Sequence, residues 1–417
     1  MVKLQKKYNQ ILFLHIGDII RAQWNRIGFN GTGGVNHYSV DIESALMVSG
    51  YGARLNGRLY EGIWGWLKRY GSLVNAERLS TLIRDANDEW ASRFLGGLLE
   101  KIDSLQWRGV IEKCKKSRST SWKETPLLIH APAGKWRVRD SVLSKWGILY
   151  DHLEPSHKLQ DHHLILSKNP LMRYRYAYGA VIRADILYLL SVAHHCPTKR
   201  EIDFLTSVRL AERLSCHLST IHRIEKDFEE GGLIEPIGEI KKKRALMTTW
   251  IAKDVPFPKV HPDYDLGMIN WIQINRLLTG LFHLILKLEM NPNEIIAKAA
   301  LQQFQIDYFP VLADHSIPLA PPYGTALGAL EKYSVEELAG IIVHALLTFH
   351  RIICRLLLVR CKKCENVFDS PIQGEISTMA NVILEKNIME CPRCRSEFST
   401  AKSDFFYLDG LGYEKTI

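Results

Sequence analysis

Four cysteines near the C-terminus have the type and spacing to do chemistry. "VRCKKCENVFDS" and "MECPRCRSEFST" supply Cys361, Cys364, Cys391 and Cys394, a C-x2-C…C-x2-C pattern with 26 residues between the pairs. Two residues between cysteines let both sulfurs face one cation, and two such turns close a tetrahedral site. The pattern predicts one structural Zn2+, because four thiolates leave no coordination position open for a substrate. A redox C-x2-C is the alternative, although one dithiol would suffice for it. The metal would fold a small ribbon that has too little core of its own. Lys362, Lys363, Arg393 and Arg395 surround it with cations that suit DNA, docking of a partner protein being the other use. Cys114, Cys196, Cys216 and Cys354 lack such spacing and read as small apolar residues.

Other chemistry is thinly supported. "GFNGTGGVN" around Gly28 to Gly34 is a glycine cluster without the strand-then-helix context of a phosphate loop. No G-x-S-x-G, H-E-x-x-H or deaminase signature occurs. His157, His162 and His163 lie in the polar stretch "SHKLQDHHLILSKNP", with no cysteine or carboxylate pattern to complete a metal site, and read as solvent-facing. "EIKKK", Glu239 to Lys243, offers a nuclease-like carboxylate and lysine, but a metal-dependent nuclease needs further acidic ligands in register.

The elements that would position a binding surface lie mid-chain. "RADILYLLSVA", Arg183 to Ala193, places Ile186, Leu187, Leu189 and Leu190 on one helical face. In "SVRLAERL" Ser207 reads as an N-cap, with Val208, Leu210, Ala211 and Leu214 facing inward. "SCHL" reads as a turn, and Ser219 as the cap of the next helix. That helix buries Ile221, Ile224 and Phe228 and ends at Gly231 and Gly232. Ser219, Thr220, His222, Arg223 and Lys226 then face outward, as recognition helices present side chains to the major groove, with Arg223 as the leading base reader. "LIEPIGEIKKKRALMTTWIA" reads as strand, turn and strand, a wing whose tip, Lys241, Lys242, Lys243 and Arg244, would contact phosphates. Glu225, Asp227, Glu229 and Glu230 on the same helix must point away from a duplex.

The charge of the whole chain suggests a polyanionic partner, a solvated basic surface being the other source of the same excess. The 417 residues carry a net charge of +9 and are 46 % hydrophobic, enough for several cores. The segment from Ile102 to Trp146 holds ten Lys/Arg against four Asp/Glu, with Trp107, Trp122 and Trp136 interleaved; it reads chiefly as a solvated face, nucleic-acid binding being the alternative. The opening segment has no cleavage site after its short apolar run, and Ala339 to Val359 carries His344, His350, Arg351 and Arg355. An intracellular, cytoplasmic protein with a buried helix there is expected. Two N-terminal helices over Asp41 to Leu79 bury Ile42, Ala45, Leu46 and Val48, then Leu59, Ile63, Trp64, Trp66 and Leu67, with Gly50, Gly52, Asn56 and Gly71 as punctuation. Helical periodicity returns over Asn270 to Met290 and Val335 to Val359. The expected fold is mainly α with small β elements: a helical domain over 1–155, a winged helix-turn-helix over 170–255, a helical region over 256–358 and a four-cysteine zinc ribbon over 359–417.

"SALMVSGYGARLNGRLYEGIWGWLKRYGSLVNAERL", "NPLMRYRYAYGAVIRADILYLLS" and "INWIQINRLLTGLFHLILKLE" resemble segments of a group of bacterial winged-helix proteins. The group comprises transcriptional regulators and antitoxins commonly encoded beside nucleotidyltransferase-like toxins, as in type IV abortive-infection systems. The likeness runs from Asp41 to about Tyr333, through apolar patterns plus Arg183 and Ala184, and leaves the ribbon outside it. It implies binding of double-stranded operator DNA and neutralisation of a toxin, and no catalytic residue. Two-fold symmetric binding by a homodimer is usual for such readers. Two other classes stay open: an interaction scaffold in an antiphage complex, and a metal-dependent nuclease.

Overall fold

The computed structural model describes residues 2–30, 36–116, 123–129, 139–151, 154–195, 206–242, 245–252, 269–290, 293–314, 333–371, 373, 387–408 and 414–416. They form a mainly helical protein with a few short strands. The chain divides into two compact units, one of Met1–Asn25, Thr32–His37 and Arg276–Ile417, the other of Arg26–Gly31 and Tyr38–Asn275.

The central unit begins with α2 (Ile42–Leu55), α3 (Gly57–Tyr70), α4 (Ala76–Ala86), α5 (Glu89–Ile102) and α6 (Arg108–Lys116). Short polar side chains start four of them. Asp41, Asn56, Asn75 and Asp88 each accept a hydrogen bond from a first-turn amide, satisfying donors the helix itself cannot. The apolar residues expected to be buried in α2 and α3 are buried. Gly50 and Gly52 lie inside α2 rather than at its ends. The reason is close approach: a Cβ on Gly50 would come within 3.0 Å of Phe94 and Trp90 on α5. A short parallel pair, β1 (Thr125–Pro126) and β2 (Ile148–Leu149), flanks α7 (Ser141–Lys145), and α8 (His162–Lys168) follows.

Next come α9 (Pro170–Tyr178), α10 (Ile182–His195), α11 (Ser207–Leu214) and α12 (Leu218–Glu230). Leu171, Ile186, Leu190, Leu210, Ile221, Ile224 and Phe228 join one core between these helices. β3 (Ile234–Lys242) then pairs antiparallel with β4 (Ala245–Ala252), and Ile234 packs into the same core. The ladder shifts register between Pro236 and Gly238, a bulge that accommodates a proline with no amide to donate.

The other unit holds α1 (Val2–Arg26), α14 (Glu294–Asp314) and α15 (Val335–Cys354), with α13 (Trp271–Met290) from Arg276 onward. A capping box of Ser334 and Glu337 starts α15. Among the described residues this helix alone is long and apolar enough by length and composition to cross a membrane, and 61 % of its apolar window is buried inside the protein. It stops at Cys354, where Arg355 adopts the left-handed conformation. The helical pattern read through to Val359 therefore overshoots, because Leu358 and Val359 alternate on a strand, β5 (Leu358–Arg360). That strand, with β6 (Val367–Asp369), β9 (Phe405–Leu408) and β10 (Glu414–Thr416), makes a four-stranded sheet ordered β10-β9-β5-β6. A separate hairpin pairs β7 (Asn387–Glu390) with β8 (Glu397–Thr400).

Candidate metal centre and candidate nucleic-acid interface

The two C-x2-C turns are built alike. Each joins the strands of a hairpin, β5–β6 or β7–β8, and each turns on a residue in the left-handed region after its second cysteine, Glu365 (φ 57°) and Arg395 (φ 58°). The Cys361 amide donates to Asn366 O and the Cys391 amide to Ser396 O, both at 3.0 Å. The Glu365 and Arg395 amides donate back to the carbonyls of Cys361 and Cys391, both at 2.9 Å. Beneath the turns, Leu357, Val359, Met389 and Phe405 form a small core, and Phe368 meets Phe398 edge-on at 6.4 Å.

This frame brings the four sulfurs within 4.8 Å of one another. Cys361 and Cys394 stand 3.7 Å apart, and Cys364 and Cys391 3.6 Å. Four sulfurs about 2.3 Å from a central ion lie about 3.8 Å apart at the edges of a tetrahedron, so these separations fit a metal ion. The local field agrees. Burial works to raise the Cys361 thiol, yet the amides of Cys364 and Lys363 and the Ser396 hydroxyl bring it down to about 6. The Ser396 hydroxyl, 2.8 Å away, lowers Cys394 as well. Cys364 moves oppositely, to about 12: the Asn366 amide lowers it, but burial and hydrogen bonds shared with the other three sulfurs prevail. Four crowded thiols cannot all ionise without a counter-charge, which a divalent cation supplies. Of the surrounding cations, Lys362 pairs with Asp404 at 2.8 Å and Arg395 with Glu390 at 3.2 Å, while Lys363 and Arg393 are exposed.

In the central unit, α11 and α12 are joined by Ser215, in the left-handed conformation (φ 50°), Cys216 and His217. Both caps differ from the sequence reading. Thr206, not Ser207, caps α11, its hydroxyl accepting from the Arg209 amide at 3.3 Å. Ser207 is instead inside the helix, donating to the buried Glu225 at 2.8 Å. His217 occupies the cap position of α12 without a side-chain bond, and Ser219 is an exposed helical residue. Val208 is 41 % exposed rather than inward-facing, whereas Leu210, Ala211 and Leu214 are buried as expected.

The outer face of α12 carries His222, Arg223 and Lys226, all exposed, with Thr220 half-buried. The acidic residues are largely engaged. Glu225 takes His222 Nδ1 at 3.3 Å besides Ser207, Asp227 pairs with Arg183, and Glu230 lies 3.7 Å from Lys226. Lys241 and Lys242 end β3, opposite Leu246 and Ala245, and Glu239 lies opposite Thr248. Lys243 and Arg244 lie outside the described residues.

A buried ionic network ties these helices to the N-terminal ones. Arg175 on α9, wholly buried, donates to both oxygens of Glu43 on α2 (2.7 and 2.8 Å) and of Asp185 on α10 (2.7 and 2.8 Å). Arg78 on α4 bonds Glu43 at 2.7 Å, Asp41, and the Leu214 carbonyl at the end of α11 at 2.9 Å. Desolvation works against both guanidiniums, but their carboxylate partners hold both pKa values above the ordinary arginine range. Nothing in the sequence reading located this network. The available signal was an arginine flanked by Leu171, Met172 and Tyr174 on a helix that buries its neighbours.

No protein-family model matches the chain, and no curated protein or solved structure matches it.

Proposed function

We propose that the protein is a DNA-binding regulator or antitoxin that reads duplex DNA through a winged helix-turn-helix. In this reading α10 to α12 form the helical part, β3–β4 is the wing, and the four clustered cysteines hold one structural zinc ion. One observation carries the reading. The second helix of a tight pair turns Arg223, His222 and Lys226 outward while its acidic neighbour Glu225 is buried, and a hairpin ending in Lys241 and Lys242 follows. Arg223 would contact base edges with Ser219, Thr220 and His222, while Lys226 and the four hairpin cations would hold phosphates. Neutralisation of a toxin rests on the resemblance of the quoted segments and on nothing in the geometry.

The test is binding of the zinc-loaded protein to its own upstream DNA and to a random duplex across a salt series. Alanine at Lys241, Lys242, Lys243 and Arg244 together should flatten the log–log salt dependence by about 3 to 4 and weaken all sequences alike. Arg223→Ala should cost about 1–3 kcal/mol at one base pair and relax selectivity there. Binding untouched by both changes refutes the winged helix as the contact surface. In that event a protein-docking role becomes the better reading, and a stoichiometric co-purifying partner would identify it.

A further inference from the structure

The unit that contains α1 and α15 holds a second group of metal-ligating side chains, distinct from the four cysteines. His350 on α15 is only 6 % exposed, and among the described residues neither of its ring nitrogens has a hydrogen-bond partner. Buried imidazoles ordinarily satisfy at least one nitrogen. The His15 ring on α1 lies tilted beside it, centroid to centroid 5.6 Å, and the Nδ1 of His15 is likewise buried without a partner among the described residues. Asp18 stands three residues after His15, so α1 presents both from one face. One ligand atom from each of His15, Asp18 and His350 lies within 4.8 Å of the other two.

We propose that His15, Asp18 and His350 form a three-ligand site for a divalent metal ion of the zinc class, separate from the cysteine cluster. Two imidazoles and one carboxylate are a donor set that divalent transition metals bind, and three protein ligands leave a position for water or an exogenous oxygen. Bonds of about 2.0–2.2 Å require the donors to draw together by roughly an ångström. Rotation about the broad terminal torsions of His and Asp supplies that closure. Arg21, one turn beyond Asp18, pairs with one carboxylate oxygen, as an outer-shell partner orients a ligating carboxylate. His15 and Asp18 are half-buried, which gives an ion a route in from solvent.

Cobalt(II) titration of the full-length, metal-stripped protein tests this. A cobalt ion on four thiolates gives intense sulfur-to-metal charge-transfer absorption, whereas one on nitrogen and oxygen gives only weak ligand-field bands. The wild type should take up one equivalent that adds ligand-field bands without charge transfer, whatever the cysteines bind. His350→Asn and His15→Asn should each abolish that equivalent and leave the charge-transfer signal intact, which also reports that the ribbon remains folded. Because His350 is deeply buried, the half-buried His15 and the Asp18→Asn change decide the matter if His350→Asn does not fold. Absence of the sulfur-free equivalent in the wild type, or its persistence in His15→Asn and Asp18→Asn, overturns the site.

Discussion

Replacing Arg175 with methionine keeps the aliphatic stem and removes the guanidinium. Five hydrogen bonds go with it, four to the carboxylates of Glu43 and Asp185 and one to the Leu73 carbonyl. Glu43 keeps Arg78 and the Asn75 amide, each at 2.7 Å, whereas Asp185 loses the partner that grips both its oxygens. Both carboxylates are almost wholly buried, so neither can recover its loss from water. Breaking a buried ion pair by removing one partner costs about 3–5 kcal/mol, a large part of the roughly 5–15 kcal/mol that holds a domain folded. Urea unfolding followed by a probe in the central unit should show a loss of that size. Arg175→Lys should recover only part of it, since a point ammonium cannot span two carboxylates. Arg183→Met is the control: its exposed pair with Asp227 should be worth under about 1 kcal/mol. A cost for Arg175→Met no larger than the control's refutes the reasoning.

Three further outcomes follow from other places in the fold. Gly65→Ala would bring a Cβ within 2.0 Å of the Ser156 backbone carbonyl, and a peptide group cannot yield as a side chain can. Destabilisation of about 1–3 kcal/mol is expected by thermal unfolding, and an unchanged midpoint would show that α3 and the Ser156 segment do not pack this closely. Burial acts to raise the pKa of Asp140, but the Leu143 amide, Lys101 and the Val142 amide outweigh it and set the carboxyl below its ordinary 3.8. Its stabilisation is therefore present above the unfolded-state value and lost as pH falls through the lower folded-state value. Asp140→Asn should flatten the acid limb of stability below about pH 4, and an unaltered limb would exclude this residue as its source. Chelation, or Cys364→Ser, should remove hydrogen-exchange protection from β5 to β9, where Leu357, Val359, Met389 and Phe405 make only a small apolar cluster; retained protection would mean the ribbon folds without metal.

What could be read along the chain and what could not divide on a physical line. Helix periodicity located Ile42, Leu59, Ile186, Ile221 and Ile224 in cores, and the two-residue cysteine spacing located the sulfur cluster, because both are local geometry. The helix starts slipped by one residue at α11 and by two at α12. Thr206 and Ser207 are both competent caps, and Glu225, eighteen residues after Ser207, claims the Ser207 hydroxyl and leaves the cap to Thr206. His15 with His350, and Glu43 with Arg175, meet across more than a hundred residues, and composition carries no trace of such pairings. Grouping α1 with the C-terminal helices is of the same kind: burial brings Met1–Asn25 into one unit with Arg276–Ile417, which reading in chain order cannot reveal.

The network also bears on how the proposed reading head is held. Arg78 donates to the Leu214 carbonyl, the end of α11 at which the turn to α12 begins, and Arg175 clamps Asp185 in the first turn of α10. Two of the three helices are thus anchored by side chains on α4 and α9, and the carboxylate between those side chains is Glu43 on α2. A fragment spanning 170–255 retains the apolar core of Ile186, Leu210, Ile221 and Phe228 but leaves Arg175 without Glu43 and the α11 terminus without Arg78. Such a fragment should be markedly less stable than the same helices in the full chain, and restoring residues 38–116 should recover most of the difference. If the fragment alone matches the intact protein in unfolding midpoint and in DNA affinity, the network is incidental. If it binds weakly because it is partly unfolded, the N-terminal helices act by stabilising the proposed reading head.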